Sequence, residues 1–237
     1  MILIGDEPDA GEAVELGVEH LSDLALNDLA TPRLDHAFRQ VEEVARHPLR
    51  CFVNADIVLL PDLLPAVELI ARSRESFLLV GQTRDLEISG EEILAPDALR
   101  RRALAEGRLR GPTAVDWFVF PAGLFEGMPP FMVGRAAFDN WMIWHARRRG
   151  LVVDATDCIV AIHQPHDYAH LQGGKDEAYY GVEADENRRL AGGKRNIYTL
   201  HDTSHWLTVD LELRRNLSAP FRWRERTRKA AWKLGLR

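Results

Sequence analysis

The chain has 237 residues, 46% hydrophobic and 28% charged, with a formal net charge of −6. That length suits one globular domain, or one domain with a short appendage, and the acidic balance excludes a general attraction of the protein body for nucleic acid or anionic lipid. Two cysteines, Cys51 and Cys158, exclude a disulfide framework and a cysteine metal site, and both read as buried thiols of a reducing compartment. The amino terminus, MILIGDEPDA, turns acidic too early for a signal peptide, and no apolar run approaches the roughly 20 residues that cross a bilayer. A cytoplasmic protein is expected.

Taken in chain order, MILIG at 1–5 and the short VEHLSDL at 18–24 read as strands. Thr31 and Pro32 supply a cap and a first-turn proline for a helix over 32–46. CFVNADIVL at 51–59 is a strand, Pro61–Asp62 opens a helix over 62–73, and FLLVGQ at 77–82 is a strand again. Residues 83–96 look irregular. VDWFVF at 115–120 is a strand, followed by the Pro- and Gly-rich PAGLFEGMPPF, a shaped loop. Arg135 to Arg149 forms a helix ended by Gly150. LVVDATDCIVAIH at 151–163 is strand-like with Asp154 and Asp157 at a turn, and GGKDEAYYG at 173–181 looks like a mobile loop. From Arg214 the tail is basic and carries Trp223 and Trp232. It reads either as a solvated terminal helix packed on the body or as a contact for an anionic membrane surface or acidic partner. The alternation of runs and helices predicts an α/β fold, with a mixed, mainly parallel sheet flanked by helices over 1–210 and a basic tail over 211–237.

Within CFVNADIVL two polar side chains interrupt a strand. Asn54 and Asp56 share one face, at the end of the buried stretch, and the carboxyl edge of an open α/β sheet is where ligands bind. A carboxylate there is costly to bury unless a cation joins it, and Mg²⁺ or Mn²⁺ carrying a diphosphate is such a cation. The alternative is a plain Asx turn between strand and helix.

CFVNADIVLLPDLL, preceded by ILIGDEPDAGEAVELGVEHL and TPRLDHAFRQVEEVA, resembles the nucleotide-sugar-binding half of glycosyltransferases of the GT-A fold, with Asn-Ala-Asp standing for their Asp-X-Asp signature. VDWFVFP, PPFMVGRAAFDNWMIWHARRRG and VVDATDCIVAIHQPHDYAHLQGG are similar to the acceptor-side half of a bacterial glycosyltransferase-like group, in the same order. The resemblance spans residues 1–200 and implies a Rossmann-like sheet. It implies that Asp56 binds the metal and through it the donor diphosphate, that Asn54 contacts ribose or phosphate, and that Asp6 accepts a hydrogen bond from the base. Arg33 would reach a phosphate. Asp6 as a turn residue and Arg33 as an exposed helix arginine are the alternatives.

On the acceptor side, Asp139 early in its helix is the candidate general base, taking the proton from the acceptor hydroxyl as inverting sugar transfer requires. Trp141 and Trp144 would stack on sugar rings or fill the core. Asp116 and Trp117 would bind acceptor hydroxyls or cap a turn. In HQPHDYAH at 163–170, His163 is the histidine that would complete the metal coordination, with His166 and Asp167 next; a hydrogen-bonded loop is the alternative, and His170 is read as that.

GT-A enzymes carry a strand ahead of the position of ILIGD, and this chain is read as lacking it, which would leave a sheet edge open to pairing with a second copy. The function expected is a metal-dependent glycosyltransferase using Mn²⁺ or Mg²⁺, moving a sugar from a nucleotide-diphosphate donor to a glycan, lipid-linked or small-molecule acceptor. It would act without nucleic acid, in the cytoplasm or at the inner face of the membrane. A sugar- or nucleotide-binding relative without turnover is the second reading. A metal hydrolase built on His163, His166, Asp167 and Asp56 is the third.

Overall fold

A computed structural model describes residues 1–5, 13, 15, 17–88, 95–169 and 171–217. Its strands are β1 (Ile2–Ile4), β2 (Glu19–Leu21), β3 (Leu49–Val53), β4 (Ile57–Leu59), β5 (Phe77–Val80), β6 (Arg84–Asp85), β7 (Arg108–Leu109), β8 (Trp117–Pro121), β9 (Leu151–Asp154), β10 (Ala161–His163), β11 (His205–Leu207) and β12 (Leu213–Arg215). The helices are α1 (Leu34–Val44), α2 (Leu63–Ser73), α3 (Pro96–Glu106), α4 (Phe138–Arg147), α5 (Gly174–Tyr180) and α6 (Val182–Leu190). Among the described residues no helix is long and apolar enough to cross a membrane.

Two compact units share these elements. The first combines Met1–Pro48, Ala122–Phe138 and Asp167–Arg195. In it β1 and β2 pair in parallel. The helix expected over 32–46 begins at Leu34, because Pro32 is spent in a bridge to Leu26 and the Thr31 N–H donates to the Asn27 side chain. The segment expected to be a mobile loop at 173–181 is instead α5, whose Glu177 carboxylate reaches back to accept the Gly173 N–H at 2.7 Å, a cap of the kind that satisfies a first-turn donor. From α6, the Asn187 amide clasps the loop before α4: it accepts the Met132 N–H at 2.9 Å and donates to the carbonyls of Met132 and Arg135.

The second unit, Leu49–Pro121, Asp139–His166 and Asn196–Arg237, holds a six-stranded sheet in the order β12-β11-β9-β5-β8-β3 and a four-stranded one in the order β4-β10-β6-β7. The large sheet is mixed and not mainly parallel: β5–β9 and β9–β11 are parallel, while β3–β8, β5–β8 and β11–β12 are antiparallel. All of β5 is buried, so both its faces are covered. On one face Ala66 and Ile70 of α2 pack against Phe77, Leu79, Trp117, Val119 and Val153. A second core joins Ala103 of α3 to Leu60, Leu86, Val160 and Ile162. The edge strand β3 carries Cys51, which is exposed rather than buried as expected, whereas Cys158 is enclosed.

The run at 51–59, expected to be a single strand, and the run at 151–163, expected to turn between strands at Asp154–Asp157, each divide between the two sheets. Residues 51–59 become the end of β3 and then β4, and 151–163 become β9 and then β10. β5 likewise leaves the large sheet and reappears as β6 in the small one. The breaks fall at turn-forming residues. Asp154 accepts the Thr156 N–H at 3.0 Å, and the Thr156 hydroxyl accepts the Gln82 N–H at 2.9 Å, which ties two breaks together. Gly81 is required there, since a Cβ would lie 2.9 Å from the Trp117 ring and 3.2 Å from the Thr156 nitrogen. The strands therefore share a seam between the sheets, and the side chains of the breaks gather along it.

Candidate metal centre

Backbone register builds the site. β4 and β10 pair antiparallel with His163 opposite Ile57, and the Gln164 N–H donates to the Asp56 carbonyl at 2.9 Å, so the residue preceding β4 lies beside the residues following β10. Asp56 Oδ2 stands 3.2 Å from His163 Nε2 and 3.3 Å from His166 Nε2. One donor atom from each of these three residues falls within 4.8 Å of the others. Around an ion bound at about 2.1 Å, neighbouring ligand atoms sit roughly 3.0–3.4 Å apart, so both histidine–carboxylate spacings fit a shared cation. Asp56 Oδ1 is enclosed and accepts no hydrogen bond, a vacancy that a cation can fill. His163 is buried, Asp56 is partly open and His166 faces solvent, which leaves one side for an incoming ligand.

Without an ion the same groups hold one another. Burial raises the Asp56 carboxyl, but the hydrogen bond and charge of His163, with the charge of His166, outweigh it and the net shift is downward. The hydrogen bond to Asp56 moves His163 upward against burial and the Arg110 charge. Both shifts favour the charged forms of the pair, so a proton on His163 and an ion beside Asp56 would compete for the same place.

The run expected to place Asn54 and Asp56 on one strand face instead turns between them: β3 ends at Val53, and the Ile57 N–H closes back on the Asn54 carbonyl at 3.1 Å. Asn54 accordingly points to a different partner, donating to Asp116 Oδ1 at 3.3 Å. Asp116 Oδ2 accepts from Thr83 at 3.0 Å and from Arg110 at 2.6 Å, and burial raises its carboxyl despite the Arg110 charge. Both its oxygens are engaged in fastening the seam. Trp117 is fully buried in the core and Trp141 is 4% exposed, its ring centroid 4.4 Å from that of His145 with the planes tilted by 39°; neither offers an open ring face for a sugar. Arg33 pairs with Asp35 at 2.8 Å, just ahead of α1. Asp139 sits in the first turn of α4, where Oδ1 accepts the Asn140 N–H at 2.8 Å. Asp167 accepts the Ala169 N–H and forms a turn. Asp6 and His170 lie outside the described residues, as does the tail from 218 onward with Trp223 and Trp232.

Sequence reasoning missed Asp85 and Arg110. His163 Nδ1 is 2.9 Å from Asp85 Oδ1, Arg110 Nε is 3.6 Å from the same oxygen, and Arg108 pairs with Oδ2. Asp85 lies in the stretch read as irregular, and its place beside His163 depends on the parallel pairing of β6 with β10, for which the local sequence carries no signal. No protein-family model matches the chain, and no curated protein matches it in sequence.

Proposed function

We propose that the protein is a metal-dependent glycosyltransferase that uses a nucleotide-diphosphate sugar. The observation that carries this reading is the convergence of Asp56, from the Asn-Ala-Asp turn, with His163 and His166 at the seam between the sheets. Two imidazoles and a carboxylate would hold Mn²⁺ or a similar ion, with open positions for phosphate oxygens. When bound, the ion supplies charge to the diphosphate leaving group. Asp56 orients that group, and His166, on the solvent side, marks where it enters. Asp139 takes the proton from the acceptor hydroxyl. The mixed α/β architecture and the order of the motifs support the GT-A assignment.

The test is turnover of a panel of UDP-, GDP- and dTDP-sugars with Mn²⁺, using wild type, Asp56→Ala and Asp139→Ala. Sugar release or transfer that both substitutions abolish supports the proposal, while tight nucleotide binding without turnover in the wild type points to a binding protein. A second reading, a metal hydrolase, is favoured by the second imidazole in the cluster, because a cation held by two histidines and a carboxylate also activates water. Cleavage of a phosphate ester without a sugar donor would establish that reading instead.

A further inference from the structure

We propose that Asp85 is a positioning residue for this centre, fixing the His163 ring so that Nε2 faces the ion. The inference rests on the metal-site reading above. The two nitrogens of His163 face two different carboxylates, Nδ1 toward Asp85 at 2.9 Å and Nε2 toward Asp56 at 3.2 Å. A neutral imidazole carries one N–H and one lone pair. With an ion between Nε2 and Asp56, Nε2 must turn its lone pair to the ion, so the single N–H belongs at Nδ1, where Asp85, paired with Arg108 and Arg110, offers an acceptor oxygen. That leaves the lone pair beside Asp56 Oδ2, where His166 Nε2 also points.

The arrangement is built into the backbone. β6 and β10 pair in parallel with His163 in register with Asp85, and directly paired residues project their side chains on the same face of a sheet. Arg110 is then anchored from the other side, 2.6 Å from Asp116, which Asn54 and Thr83 also hold. The chain Asp56–His163–Asp85–Arg110–Asp116–Asn54 runs across the seam and returns to the turn that carries Asp56. A carboxylate behind a ligating histidine fixes its tautomer and raises its basicity, and losing it typically weakens metal binding about 10–100-fold.

The test is calorimetric titration of the full chain with Mn²⁺ alone, comparing wild type with Asp85→Asn and Asp85→Ala, together with the visible spectrum of the Co²⁺-loaded proteins. The expected result is a loss of affinity of about 10–100-fold in both variants and an altered Co²⁺ spectrum. A purely structural role for Asp85 would leave the spectrum of the folded fraction unchanged. If the wild type binds and both variants bind equally well with the wild-type spectrum, Asp85 has no positioning role while the metal site stands. If the wild type binds no Mn²⁺, the site reading fails and this inference with it. Nitrogen-15 spectra of the Zn²⁺-loaded wild type give an answer even if both variants unfold: a protonated Nδ1 on His163 supports the proposal, and a metal-bound Nδ1 overturns it.

Discussion

Asp56 owes its chemistry to what it lacks. No guanidinium among the described residues pairs with it; its partners are two imidazoles, groups that can release a proton and ligate a metal. Two nitrogen donors and one oxygen suit Mn²⁺, Co²⁺ or Zn²⁺ better than Mg²⁺, which prefers oxygen ligands. Titration calorimetry should therefore show Mn²⁺ binding at least about 10-fold tighter than Mg²⁺, and His166→Ala should narrow that gap. The same residues set a pH dependence. Because His163 is raised, its contribution to the metal-free fold is complete below its ordinary value of 6.5 and is lost as pH rises through its folded value. Because Asp56 is lowered, its contribution is present above 3.8 and is lost as pH falls through its folded value. Thermal melts of metal-free wild type should show this pair's support within that window, and His163→Ala should flatten the profile there. Added Mn²⁺ should stabilise the protein more at pH 8 than at pH 6, since the ion displaces the proton.

At the scale of elements, the strand runs and three helices were legible because burial imposes periodicity. The division of 51–59 and 151–163 between two sheets was not, since Asn54–Asp56 and Asp154–Asp157 look alike whether a turn reverses the chain or passes it to another sheet. Helix α3 escaped notice because only Ala103 of it is fully buried, although Pro96 at its start and Gly107 after its end follow the usual punctuation. The start of α4 is later than expected because Ala137 adopts φ 93°, which no right-handed helix contains. At the site, Asp56 and His163 could be named from the sequence, whereas Asp85 depends on register. Two substitutions check the packing. Gly81→Ala forces its Cβ against Trp117 and a backbone nitrogen and should cost about 1–3 kcal/mol in chemical denaturation. Glu183 accepts from Arg135 at 2.8 Å and from Asn27 at 2.6 Å with both ends of the ion pair 8% exposed, so Glu183→Ala, which leaves the buried Arg135 guanidinium only the Glu177 carboxylate at 3.9 Å, should cost about 3 kcal/mol.

For the whole molecule, a ligand that binds only the folded chain adds stability by mass action, about 2.7 kcal/mol at a hundredfold excess over its dissociation constant. Mn²⁺ should accordingly raise the melting temperature of the wild type and leave that of Asp56→Ala unchanged. The seam adds a constraint of timing. Its partners are remote in the chain, with His163 and Asp85 separated by 78 positions, and the imidazoles at 163 and 166 are the last of the cluster to be synthesised. A ribosome must therefore release residue 166 before the carboxylate at 56 can meet its nitrogens, and cation uptake by this centre must follow the arrival of β10 in the small sheet.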